Sequence, residues 1–428
     1  MTKQHRRTFI TTVGLGTAAL AGCTGSLDFG NGDEDDENGN GDENGEDPAP
    51  DDDYEEEDVT APAIASGDLI DDFEESEWFP MNEEHTTVER SDDALVGDHA
   101  LRVESDDEDE SAGAYRVFRD GLDIEGQHLS LAVKVESPLP ARVILEARAP
   151  GRSDLLESAR SIPEEFDGWL RMEAGWTGEV GEPDLSDIRE LRIYVVSRQG
   201  AEGSASFMID DLRATESADQ GYAVLTFDDG VASQYTTAYP MLEERGWPGV
   251  AAIIPGSLNR QNRLTTEQCR ELRDAGWDIS SHPHTALPDG FDSSEERIEY
   301  LEDARDYIAN RIDEEGAQHY FAPYNRMDAE SIEDVREVFE SSFIFGGQPG
   351  AAPPAEGHMI SRVNGHDASA LSEMFDLAAN YNQTVVTMIH GVGDGDLDDV
   401  TEEEFEALLD EIDGHDLEVV TVSELFDA

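Results

Sequence analysis

The chain has 428 residues, with 28 Lys plus Arg against 100 Asp plus Glu, a net charge of −72 and two cysteines. That length allows two ordinary domains plus non-globular segments, two cysteines exclude a disulfide scaffold, and the acidic balance argues against nucleic acid, which needs a basic face, as a partner. Lys3 and Lys134 are the only lysines, and the acidity runs through every region; such a surface suits molar salt, where the Debye length falls to about 3 Å, and predicts a halophilic organism.

Residues 1–23 read as a targeting segment. Arg6-Arg7 precede a mostly apolar run from Phe9 to Ala21, too short for an ordinary transmembrane helix, and small residues lead to Cys23. The pattern resembles a twin-arginine lipoprotein signal, which implies that Cys23 becomes a lipidated N-terminus anchored in the membrane. A short uncleaved anchor is the alternative. Either places the remainder outside the cytoplasmic membrane, on its extracellular face. Residues 24–63 are mostly Asp, Glu, Gly, Asn and Pro. Too little apolar area is available there to order the chain, so the segment reads as a disordered acidic linker extended by self-repulsion.

Residues 64–215 read as many short strands separated by turn residues, among them 100–103, 128–135, 142–147, 191–196 and 206–209. No long helical period interrupts them, which predicts a β-sandwich. The segment opens with Asp71-Asp72 and closes with Asp210-Asp211. In this it resembles jelly-roll carbohydrate-binding modules, and the resemblance implies a structural calcium held by Asp71, Asp72 and Asp211. Trp78, Trp169, Trp176 and Tyr115 are candidates to stack on sugar rings; taken singly, each is expected in the core.

Residues 216–428 alternate strand and helix, with strands expected at 222–227, 249–254, 277–281, 318–322, 343–346, 384–389 and 417–421. Thr265 with Gln268, Ser293 with Glu296 and Thr401 with Glu404 have capping-box spacing, and Gly276 and Gly414 fit helix ends. The alternation predicts a parallel α/β barrel, with chemistry at the carboxyl ends of its strands. Asp228-Asp229-Gly230, His282 with His284, and His390 all fall at such ends. Asp, His and His are a common ligand set for a hydrolytic divalent metal, while a free Asp can act as general base and a separate His as general acid. His319, His358, His366 and His415 lack that context and read as surface residues. Asp394, Asp396 and Asp398 begin like a calcium loop, but Asp399 and Phe405 stand where Gly and Glu are needed.

Thr226-Phe227-Asp228-Asp229-Gly230, Ser281-His282, Phe321-Ala322-Pro323-Tyr324 and Met388-Ile389-His390 resemble, in order, motifs of the NodB-homology polysaccharide deacetylases, carbohydrate esterase family 4. The resemblance covers about the last half of the chain and implies a distorted (β/α)7-type barrel. It further implies that Asp229, His282 and a second histidine hold zinc, that Asp228 is the base and that His390 is the acid. The backbone N–H of Tyr324 would stabilise the oxyanion. Three positions depart from the pattern. Ala286 stands where the second histidine is usual, leaving His284 as the candidate ligand. No arginine begins the third motif to orient the base, so Arg326 and Arg362 are the candidates, each otherwise a surface arginine. Asn325 replaces a glycine. Asp367 is a candidate to orient His390.

The resulting expectation is a lipid-anchored lipoprotein of a halophilic archaeon. It would hydrolyse N-acetyl groups of a cell-surface or extracellular polysaccharide with a divalent metal. The rivals are an O-acetyl esterase or other amide hydrolase on the same scaffold, and a carbohydrate-binding surface protein with a decayed site.

Overall fold

The computed structural model describes residues 66–428 except 76, 107–110, 198–203, 284–289, 292, 394–398 and 427. Cys23, the acidic linker, His284, Ala286 and the acidic run from Asp394 to Asp398 lie outside the described residues.

Residues 68–216 form two antiparallel sheets over one core. In the first, Thr86–Ser91, Ala100–Ser105, Ser206–Glu216, Gln127–Ser137 and Leu170–Glu173 lie side by side, and Asp68–Asp71 also pairs with Ser206–Glu216. In the second the order is Gly178–Val180, Leu155–Ile162, Ala141–Arg148, Ile188–Ser197, Ser111–Leu122 and Phe79–Pro80. Two-residue alternation builds the core: Ala141, Val143, Leu145 and Ala147 are buried, and the residues between them face outward. Trp78 and Trp176 are core residues, and the Trp78 ring stacks on Phe73.

The calcium expectation is corrected here. Asp71 accepts from the Phe73 N–H at 2.9 Å, the Trp78 indole at 2.8 Å and the Arg116 guanidinium. Asp211 lies between Arg171, at 2.5 Å, and Arg213, at 2.8 Å. Asp72 is exposed and accepts from the Glu74 N–H. Arginines therefore supply the positive charge assigned to calcium, and a cation added beside them would meet repulsion. Titrating calcium is expected to leave the thermal midpoint unchanged; a calcium-dependent rise would contradict this arrangement.

The second half is a closed parallel barrel. Its strands are β1 (Tyr222–Phe227), β2 (Val250–Ile253), β3 (Asp278–Ser281), β4 (His319–Phe321), β5 (Ser341–Phe345), β6 (Ile360–Asn364) and β7 (Thr384–Ile389). They pair in sequence, and β1 joins β7 to β2. The β1–β2 pairing covers only Thr226 and Phe227; Tyr222 and Ala223 pair instead with β8 (Glu418–Val419). Seven strands thus close at the carboxyl end, and an eighth fills the seam at the other end. Val224, Phe321, Phe343, Ile360 and Val386 share a buried cluster, with Phe321 stacked on Phe343 at 4.6 Å. Thr265 and Thr401 make reciprocal capping boxes with Gln268 and Glu404, and the Ser293 hydroxyl accepts from the Glu296 N–H.

One strand, β6, has no counterpart among the expected elements. Arg362 interrupts its apolar pattern, and the 14 residues before it, 346–359, contain no helix. Every other crossover of the barrel carries helical residues. The sandwich covers the gap: its core is continuous with Ile344, Met359, Tyr320, Ile332 and Val335 of the barrel side. The approach is close enough that a Cβ on Gly175 would lie 1.7 Å from the Pro349 carbonyl oxygen. Gly175→Ala is therefore expected to destabilise the protein by about 1–3 kcal/mol or more through backbone displacement. Thermal denaturation in high salt checks this, and an unchanged midpoint would deny the close approach.

Candidate active site

Strand alternation decides where the two aspartates point. Val224 and Thr226 face the barrel interior, and Asp228, two residues on, continues that face and is 3% exposed. Its N–H donates to the Ile389 carbonyl at 2.8 Å, extending the β1–β7 pairing. At Asp229 the backbone turns left-handed, with φ 74, and Gly230 follows with φ 62. That turn takes Asp229 out of the inward row, and its side chain is 33% exposed. Asp and Gly are among the residues that tolerate such a turn.

The inward face of β6 brings Arg362 to Asp228. The fork is bidentate, with Nη1 to Oδ1 at 2.7 Å and Nη2 to Oδ2 at 3.0 Å. Nη1 also donates to the Thr226 hydroxyl at 3.2 Å, and the guanidinium lies 5.1 Å from the Phe321 ring centroid. Arg362 is 2% exposed, so the expectation of a surface arginine fails for it. The expectation holds for Arg326, which is 40% exposed and paired with Glu165. Burial, the largest single influence, raises the Asp228 carboxyl, but Arg362 together with His282 and His390 outweighs it and holds the pKa down to about 2. Asp228 is therefore ionised at any working pH.

His282 follows β3 and is almost buried. Its Nδ1 lies 2.9 Å from the Phe321 carbonyl, which can only accept, so Nδ1 carries the proton. In the neutral ring Nε2 then presents a lone pair toward Asp229 Oδ1, 3.6 Å away. Two electron-pair donors facing one another, with one histidine fixed by a carbonyl behind it, fit a divalent cation. Among the described residues no third His, Cys, Asp or Glu completes a ligand group. Arg263 braces the turn, donating to the Asp229 carbonyl at 2.7 Å.

His390 follows β7 directly, and its Nδ1 is buried without a hydrogen bond. The role expected of Asp367 is therefore not seen; its carboxylate accepts from the Ser369 hydroxyl at 2.9 Å, at the start of the helix Ala368–Asn380. The Gln234 side-chain amide instead ties the site together, donating to the Asp228 carbonyl at 2.6 Å and the His390 carbonyl at 2.8 Å. Gln234 carries no motif in the sequence, since it acts on backbone oxygens that any residue would supply; Arg263 also pairs with the Asp229 carboxylate at 3.4 Å.

Tyr324 lies in the turn after β4 with φ 56, and its side chain is 70% exposed. Asn325 follows, also at φ 56, in a conformation that favours glycine but admits asparagine. Its side chain accepts from the Phe345 N–H at 2.5 Å, so the departure from glycine gains a bond to β5. His319, expected at the surface, is buried between the Ser341 and Ser423 hydroxyls at 2.9 and 3.0 Å, and burial pushes its pKa down to about 4.

Residues 215–338 match the family model described as polysaccharide deacetylase. The segment includes Asp228, Asp229, His282 and Tyr324; Arg362 and His390 lie beyond it. A putative polysaccharide deacetylase, YxkH of Bacillus subtilis (strain 168), is 37% identical over 59 residues, 14% of this chain. The chain spans about a fifth (21%) of that relative's length. Among solved structures, similar ones include the Xyl-CE4 domain of a multidomain xylanase from the hindgut metagenome of Trinervitermes trinervoides. It has a TM-score of 0.36 and 16% identity, over 49% of this chain and 91% of that one. A family 11 carbohydrate-binding module of Clostridium thermocellum has a TM-score of 0.29 and 14% identity, over 36% of this chain and 98% of that one.

Proposed function

We propose that the chain is a metal-dependent hydrolase of C–N bonds that removes N-acetyl groups from a polysaccharide. The observation that carries this reading is the pairing of two adjacent aspartates in unlike settings. Asp228 is buried and ionised on an arginine fork, while Asp229 faces the free nitrogen lone pair of His282. The family match over 215–338 supports the same chemistry.

Asp229 and His282 would hold the metal, with His284 as the third ligand and zinc as the expected ion. When bound, such a cation polarises the acetyl carbonyl and acidifies a water. Asp228 would take a proton from the attacking water. The Arg362 fork keeps its carboxylate ionised and oriented for that role. The Tyr324 N–H donates to the oxygen that becomes negative. His390 returns a proton to the departing amine, and Gln234 keeps His390 and Asp228 in register by holding both backbones. The products are acetate and a free amino sugar.

The remaining parts of the proposal rest on sequence. The twin-arginine pattern and Cys23 support export and a lipid anchor on the extracellular face of the membrane. The lysine-poor acidity supports life in high salt, and the sandwich supports a polymeric substrate held near the cell surface. Elemental analysis of protein kept in high salt, followed by a screen of N-acetylated glycans and acetylxylan for released acetate, tests the reading. Bound metal with acetate from the N-acetylated glycans supports it; acetate from acetylxylan alone would favour the esterase, and protein without metal would defeat the reading.

A further inference from the structure

Arg362 reaches Asp228 from a strand whose entry is held by the sandwich. Met359, the residue before β6, has φ 57. A side chain with a Cβ adopts that backbone unwillingly, and it persists only where the surroundings over-determine it. Here both sides of the residue are held. The Met359 N–H donates to the Ser342 hydroxyl at 2.9 Å, and its carbonyl accepts from the Arg160 guanidinium of the sandwich. Arg160 is itself 3% exposed.

The other end of the same loop is tied in the same way. The Ser161 N–H of the sandwich donates to the Gly346 carbonyl at 2.8 Å. The N–H groups of Gly346 and Gly347 in turn donate to the carbonyl of Arg362 at 3.2 and 3.0 Å. Between these ends the buried Glu173 carboxylate accepts from the Ala351 and Ala355 N–H groups at 2.8 and 2.6 Å. Gln348 spans the junction, donating to the Glu173 carbonyl at 2.9 Å and pairing with the Ser158 hydroxyl at 3.2 Å. A crossover without a helix lacks the internal ladder that would keep its own shape, and these sandwich groups replace it.

We propose that the sandwich is part of the catalytic unit rather than an appended module, with Arg160 and Glu173 as positioning residues that hold the β6 entry and so keep Arg362 on Asp228. This rests on the roles given above to Asp228 and Arg362. A guanidinium fork meets a carboxylate with both bonds only in one relative orientation, so a small shift of β6 breaks one of them. An independent module would instead meet the barrel through a surface like that of transient interfaces, without buried charges serving the partner's backbone.

The test uses the full chain in high salt, with Arg160→Met, Arg160→Lys, Glu173→Gln and Arg362→Lys. The readouts are circular dichroism, amide hydrogen exchange and steady-state release of acetate from an activated aryl acetate. Arg160→Met and Glu173→Gln are expected to fold and to exchange about tenfold faster across 346–364, with 384–389 unchanged. Their kcat is expected to fall by about tenfold or more at a KM within about twofold of wild type. Arg160→Lys should recover part of the kcat. If Arg160→Met fails to fold, Glu173→Gln, which keeps the shape and one acceptor, carries the test. Folded variants with wild-type kcat and exchange, beside a crippled Arg362→Lys, would overturn the proposal and leave the function standing. An Arg362→Lys enzyme with wild-type kcat would overturn the role of Arg362 itself.

Discussion

Arg362→Ala is expected to cost about 10²–10⁴ in turnover, the range of a lost general base, and about 3–5 kcal/mol of stability, because it leaves a buried carboxylate uncompensated. Arg362→Lys is expected to keep much of the stability and little of the rate, since a point charge cannot make both bonds of the fork. The pH dependence should change sign as well. In the wild type the folded pKa of Asp228, about 2, lies below its unfolded value. The group therefore contributes roughly 2–3 kcal/mol that is fully present above about pH 4 and lost as pH falls through 2. Without Arg362, burial dominates and raises the folded pKa above the unfolded one. The contribution is then present at low pH and lost as pH rises. Thermal midpoints of wild type and variant across pH 3–8 check this. A constant difference between the two would show that the ion pair does not set the Asp228 charge.

Asp229→Ala and Asp228→Asn are expected to fail in different ways. Asp229→Ala should lose both bound metal and turnover, because it leaves His282 as the one described ligand opposite the Phe321 carbonyl. Asp228→Asn should keep the metal and lose about 10²–10⁴ in turnover. Elemental analysis beside acetate release separates them. Metal retained in Asp229→Ala would place the ion elsewhere, and turnover retained in Asp228→Asn would remove it as the base.

These residues differ in how readily they are found from sequence. Asp228, Asp229, His282 and His390 sit next to strands whose apolar runs mark them, so their place at the carboxyl ends follows from local pattern. Trp78 was a candidate sugar platform and is a core ring. The acidic pairs of the sandwich suggested calcium, yet Arg116 and Arg171, distant in sequence from Asp71 and Asp211, and Arg213, two positions along the same strand as Asp211, neutralise them. Charge pattern along a chain shows which carboxylates need a partner, not which cation arrives.

The strand–helix alternation, the helix caps and the roles open to an aspartate pair followed by histidines are legible in the residues alone, because each depends on positions close to one another in the chain. Which arginine serves Asp228, what covers the crossover without a helix, and what steadies His390 emerge only from the folded arrangement. Arg362 lies 134 residues beyond Asp228 on a strand with no clear apolar signature. Barrel closure, not propensity, turns its side chain inward, and the cost of leaving either buried charge without its partner keeps the pair together.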